Sequence, residues 1–200
     1  MPEELLKKEA DRLMQIKGNV RGEVFLANAA YIRFKKGEDE IKAVEVKLKE
    51  LGYPLNFKEI NPGEWYLEAL SVLSILAARD IFNWKESDIF EMGYSVPKYS
   101  FISKIFINYF LSLKRFIREV PKYWGKHFDF GGLEVSELNE EKNYLILQEK
   151  GYKFHPLLCV YHAGYYLRIA KFVIKGGKSS IEETKCVFKG DPYHEYIIKW

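Results

Sequence analysis

Two cysteines, Cys159 and Cys186, are all that this 200-residue chain contains, too few for a disulfide framework to carry a fold. Long apolar runs are missing too. The longest uncharged stretches, 69–78 and 105–113, are about half of the ~20 residues a membrane-crossing helix needs. The opening Met1-Pro2-Glu3-Glu4-Leu5-Leu6-Lys7-Lys8 is charged and offers no apolar segment of a secretory signal. Charge of one sign is scarce: 31 Lys and Arg face 28 Asp and Glu, for a net charge of +3. No basic block interleaves with aromatics, so no nucleic-acid partner is expected. A Gly-rich phosphate loop, a nucleophile elbow and a His-Glu-x-x-His helix are all lacking, and no pair of acids has a spacing suited to general acid/base work. These absences lead us to expect a cytoplasmic protein without a membrane span, folded as a single domain over residues 1–200 with no separate output domain.

Aromatic residues, in contrast, are plentiful: 14 Phe, 14 Tyr and 4 Trp. So much ring surface either fills a core tightly or lines an apolar cavity. Most of the chain up to about residue 126 has helical patterning. Leu5, Leu6, Ala10, Leu13 and Met14 share one face, and 25–36 fits helix or strand. Residues 37–51 form an amphipathic pattern closed by Gly52 and Pro54. Asn61-Pro62-Gly63-Glu64 has the form of a helix start, followed by a buried helix over 65–82. A second long helix is expected over 100–120, stopped by Pro121. The pattern then turns to alternation: a hairpin around 133–148, a helix opened by His155-Pro156 and ended by Gly176-Gly177, and strands at 180–188 and 195–200. The expected fold is therefore α+β, a helical N-terminal two-thirds packed on a C-terminal antiparallel sheet, with hairpin-helix-hairpin order at the end.

Chemistry-bearing residues gather in that last portion, where His155, Cys159, His162, Glu183, Cys186 and His194 hold both cysteines and three of the four histidines. Thiolate, imidazole and carboxylate are the donors of a tetrahedral metal site. Two buried thiols and ordinary helix-face histidines would have the same composition. In a flat strand Glu183 and Cys186 point to opposite faces, so a shared site requires a bulge or strand end between them. His155 and His162 lie within reach of Cys159 on a helix, and either is an alternative to Glu183.

The segments Pro156-Leu157-Leu158-Cys159, Ala163-Gly164, Glu182-Glu183-Thr184-Lys185-Cys186 and Lys189-Gly190-Asp191-Pro192-Tyr193-His194 resemble the C-terminal signature of the 4-vinyl reductase domain family. The larger fold group of that family includes ligand-binding domains of nitric-oxide signalling proteins and subunits of the Golgi-transport TRAPP tether. The resemblance implies a structural zinc held by Cys159, Glu183, Cys186 and His194, with His194 standing where the family has cysteine. Four protein ligands would leave no open position for catalysis. It further implies a non-enzymatic sensory or regulatory domain that binds a small hydrophobic or aromatic molecule, dimerises, and signals to a protein partner. Candidate pocket residues are Trp65, Phe106, Tyr109, Phe110, Trp124, His127 and Tyr165, with the Trp124 indole N–H and the His127 imidazole as polar handles. Two other readings of the resemblance are a TRAPP-like scaffold and a tetrapyrrole vinyl reductase, although nothing resembles a nicotinamide or flavin site. Haem sensors belong to the same fold group, but their Tyr-x-Ser-x-Arg porphyrin clamp is absent, and Tyr94-Ser95-Val96-Pro97 does not supply it.

Overall fold

The computed structural model describes residues 7–100, 112–174 and 177–200. Helix α1 (Lys7–Leu13) leads into a short strand β1 (Asn19–Arg21) and then α2 (Gly22–Lys36), which resolves the ambiguous 25–36 stretch as helix. Helix α3 (Glu38–Glu50) buries Ile41, Val44 and Leu48, the apolar stripe of its amphipathic pattern.

The helix start expected at Asn61 is not there. Residues 61–64 form a turn in which the Asn61 side chain accepts from the Gly63 amide at 3.0 Å. The carbonyls of Glu64 and Pro62 accept the amides of Gly22 and Glu23, at 2.9 and 3.1 Å. The turn thus satisfies the unpaired N–H groups opening α2 instead of starting its own helix. Trp65–Leu67 is strand β2, antiparallel to β1 with Val20 opposite Tyr66. Helix α4 (Glu68–Phe82) follows, buried on nearly all sides, and ends at left-handed Asn83. Helix α5 spans Glu86–Ser95.

Of the second long helix, residues 101–111 lie outside the described residues. Helix α6 (Leu113–His127) begins where the Ser112 hydroxyl accepts from the Arg115 amide and runs through Pro121, so Pro121 does not stop it. Proline removes one hydrogen bond from the ladder. The buried face of Phe116, Val120, Tyr123, Trp124 and His127 outweighs that loss.

The C-terminal third follows the expected order. Strands β3 (Gly132–Asn139) and β4 (Tyr144–Lys150) form a hairpin, α7 (Leu157–Ala170) comes next, and β5 (Ser180–Lys185) and β6 (His194–Lys199) close the sheet. The sheet is antiparallel in the order β3-β4-β6-β5. Leu145, Leu147 and Glu149 on β4 and His194, Tyr196 and Ile198 on β6 are buried on its inner face. There Glu149 sits opposite His194 and Leu147 opposite Tyr196. Helices α5 and α7 cross at Gly93 and Gly164. Among the described residues, no helix is long and apolar enough to cross a membrane.

Candidate functional site

Two side-chain groups meet around α7. The first joins its opening turn to the last hairpin. Pairing of β5 with β6 slips between Glu183 and Lys185, the irregularity that lets Glu183 and Cys186 face the same way. Cys159, Glu183, Cys186 and His194 converge so that one ligating atom of each lies within 4.8 Å of the others. Cys159 Sγ is 3.8 Å from Cys186 Sγ and 3.7 Å from His194 Nδ1. His194 also pairs with Glu183 at 3.0 Å, and its Nε2 donates to the Tyr152 carbonyl at 3.0 Å. Burial opposes charge on both partners, but the hydrogen bond between them prevails: His194 is held above its ordinary value and Glu183 below. Burial, then the Glu183 charge, pushes the Cys159 thiol up.

The alternative histidines point elsewhere. His155 Nδ1 accepts from the Leu157 amide at the start of α7, and its Nε2 faces Glu9 at 3.1 Å. His162 Nδ1 lies 2.9 Å from the fully buried Glu149 carboxylate.

The second group lines a cavity of about 50 Å³ between α2, α6 and α7, with Leu133 of β3 at one side. Three expected pocket residues, Trp124, His127 and Tyr165, lie on it. The Trp124 indole N–H is already donated to the Phe130 carbonyl at 2.7 Å, so it is not the polar handle expected of it. The Tyr165 hydroxyl is bonded to that of Tyr123. His127 differs. Its Nδ1 donates to the Tyr123 carbonyl at 3.1 Å, whereas Nε2 is buried without a partner among the described residues. Burial pushes His127 below its ordinary value, favouring a neutral ring with an acceptor lone pair on Nε2. Trp65 is not on the cavity: it lies on β2, 38% exposed, with the Arg21 guanidinium 3.8 Å above its ring. Phe106, Tyr109 and Phe110 lie outside the described residues.

Sequence reasoning missed three buried acids among the described residues, of which Glu23 lines the cavity. Glu68, at the head of α4, accepts from the Tyr152 hydroxyl at 2.6 Å, and Glu149 holds His162. The signal for Glu149 was its phase, since it alternates in step with Leu145 and Leu147. Glu68 carried no such signal, because one acid heading an apolar run usually marks the solvent side.

No family model matches this chain. No curated protein matches it either. Solved structures do. An H-NOX protein from S. oneidensis in the Fe(II)NO ligation state is 14% identical, with a TM-score of 0.66 over 90% of this chain and 98% of that one. An oxygen-binding H-NOX domain related to soluble guanylate cyclases is 16% identical, with a TM-score of 0.60 over 90% and 94%. A structure described as modulating heme redox potential through protein-induced porphyrin distortion is 15% identical, with a TM-score of 0.62 over 90% and 99%.

These matches overturn two expectations. The resemblance to the 4-vinyl reductase domain family and its TRAPP relatives is not upheld, because the matched folds are H-NOX domains. The structural zinc inferred from that family falls with it. Where a bound group is named for these neighbours, it is heme or a gas, and the four converging side chains close their contacts on one another through the thiol pair and the His194–Glu183 bond. What the chain shares with its neighbours, at this level of identity, is architecture: a helical N-terminal part and a C-terminal four-stranded antiparallel sheet in the H-NOX fold.

Proposed function

We propose that this chain, as a single domain over residues 1–200, is a small-molecule-binding sensory domain whose ligand occupies the cavity at His127. One observation carries this reading: a buried imidazole nitrogen without a partner among the described residues borders a cavity whose exposed surface is almost wholly apolar. A buried unsatisfied acceptor costs about 1–3 kcal/mol, a cost that a bound donor removes. The ligand is therefore small, with an apolar body and one N–H or O–H group directed at Nε2. One benzene ring fills a cavity of about 150 Å³. At about 50 Å³, this cavity takes a molecule of a few heavy atoms, and an aromatic ring enters only if side chains move aside.

The same volume tests heme, the group named for one of the neighbours. A porphyrin is a rigid disc of four pyrrole rings and does not fit a cavity of about 50 Å³. An imidazole such as that of His127 is a donor that heme iron takes, but the sequence has no Tyr-x-Ser-x-Arg clamp to hold the porphyrin.

A thermal-shift and NMR titration with short alcohols, amines, amides and azoles tests the reading. At a hundred times its Kd, a bound ligand stabilises by about 2.7 kcal/mol, or roughly 5–10 °C in a chain of this size. His127→Phe is expected to abolish that shift while remaining folded. Ligands that shift the parent and the variant equally, or a panel that shifts neither, would sink the proposal. Added haemin is expected to give no stoichiometric Soret band. Relay of the bound state through a homodimer belongs to the same reading, and sedimentation with and without ligand is expected to show the two-chain species.

A further inference from the structure

We infer that Cys159 and Cys186 form a redox pair that closes to an intramolecular disulfide. The two sulfurs face each other at 3.8 Å, in a chain with no other cysteine. A disulfide needs about 2.05 Å between them, so closure brings the sulfurs about 1.8 Å nearer.

The backbones carrying the pair are pinned. The Cys186 amide donates to Asp191 Oδ2 at 2.8 Å, and its carbonyl accepts from Lys189 and Asp191 at 2.9 and 3.2 Å. The Cys159 amide donates to the Pro156 carbonyl at 3.0 Å, within the first turn of α7. Two thiols held at this separation on separate elements have a high effective concentration for each other and a low one for outside thiols. With peroxide as oxidant, one sulfur attacks a peroxide oxygen and the O–O bond breaks, leaving a sulfenic acid and one water. The second sulfur then attacks the first, forming S–S and releasing a second water. Both sulfurs are oxidised, peroxide is reduced, and no net proton is left over.

The bond would fasten the head of α7 to the end of β5 and close a long loop of the unfolded chain, which is expected to raise the melting temperature by about 10 °C.

The test uses the full chain with a chelator present, so that no stray ion covers the thiols. It is exposed to hydrogen peroxide, or refolded from denaturant in a glutathione redox buffer so that burial cannot limit access. It is then denatured, alkylated with N-ethylmaleimide and weighed intact. Two adducts are expected on the reduced protein and none on the oxidised one, with a Cys159–Cys186 cross-linked peptide in the digest and no dimer on a non-reducing gel. Oxidant is expected to leave the melting temperature of Cys186→Ser unchanged. Two adducts after both treatments would overturn the inference, as would sulfinic acids or an intermolecular disulfide in place of the cross-link.

Discussion

Replacing Gly164 by alanine is expected to lower the melting temperature by about 10 °C, or to leave the chain unfolded. A Cβ there would stand 2.2 Å from the Phe90 carbonyl oxygen and 2.8 Å from the Tyr94 amide nitrogen, both backbone atoms of α5. From the other side, a Cβ on Gly93 would meet the Tyr161 carbonyl oxygen at 1.9 Å. A clashing side chain could rotate away, but helix backbone can yield only by moving the helix. Separating α5 from α7 would strip contacts from Met92, Tyr161 and the rest of the core between them, at a cost of about 3 kcal/mol. That corresponds to roughly 10 °C for a chain of this length. The two glycines serve one crossing, so Gly93→Ala combined with Gly164→Ala should cost less than the sum of the single changes. Calorimetry of the three variants decides the point. A loss below about 1 kcal/mol for either single change would show that the crossing is not tight, because that is less than overpacking normally costs.

The stability of the native chain is expected to fall as pH rises from about 4.5 to about 8, through one buried carboxyl. Desolvation is the first cause that pushes Glu68 up from 4.5 to about 8, the Tyr152 and Ser71 hydrogen bonds oppose it, and the Glu149 charge adds to it. Within that window the folded chain keeps a proton that the unfolded chain has released, so each rise in pH favours unfolding; above about 8 the penalty is complete. At 1.36 kcal/mol per pH unit, the interval sets a ceiling of about 5 kcal/mol. Glu68→Gln keeps the shape and the Tyr152 hydrogen bond but removes the titration. It should match the parent near pH 4.5 and exceed it by several kcal/mol at pH 9. His127, depressed by burial, contributes with the opposite sign, its share being lost as pH falls below 6.5. Because His127 is common to both proteins, the difference between their denaturation profiles isolates Glu68. Parallel profiles from pH 4.5 to 9 would show that Glu68 titrates at an ordinary value when folded.

How much of this was legible beforehand depends on the range of the interaction. Helix α3 could be read from a local stripe, and the hairpins from alternation and turn residues, because both patterns repeat within a few positions. Asn61-Pro62-Gly63-Glu64 misled because its capping groups serve α2, about forty residues earlier in the chain. Pro121 misled because a proline's local cost is set against burial of a face that only the folded chain provides. The family signature led to an ion, whereas the wider fold matches H-NOX structures at an identity too low for any motif to carry.

The sequence alone determined the α+β class, the order of the C-terminal elements and which residues were chemically able to form a site, since these follow from composition and from spacings of two to four residues. Tertiary structure decided the rest. The bulge at Glu183 turned that side chain towards Cys186, and the crossing of α5 with α7 needed two glycines far apart in the chain. The meeting of α2, α6 and α7 left one nitrogen of His127 without a partner among the described residues, beside an apolar space. Each depends on where distant backbone segments stop one another by contact, which no local period encodes.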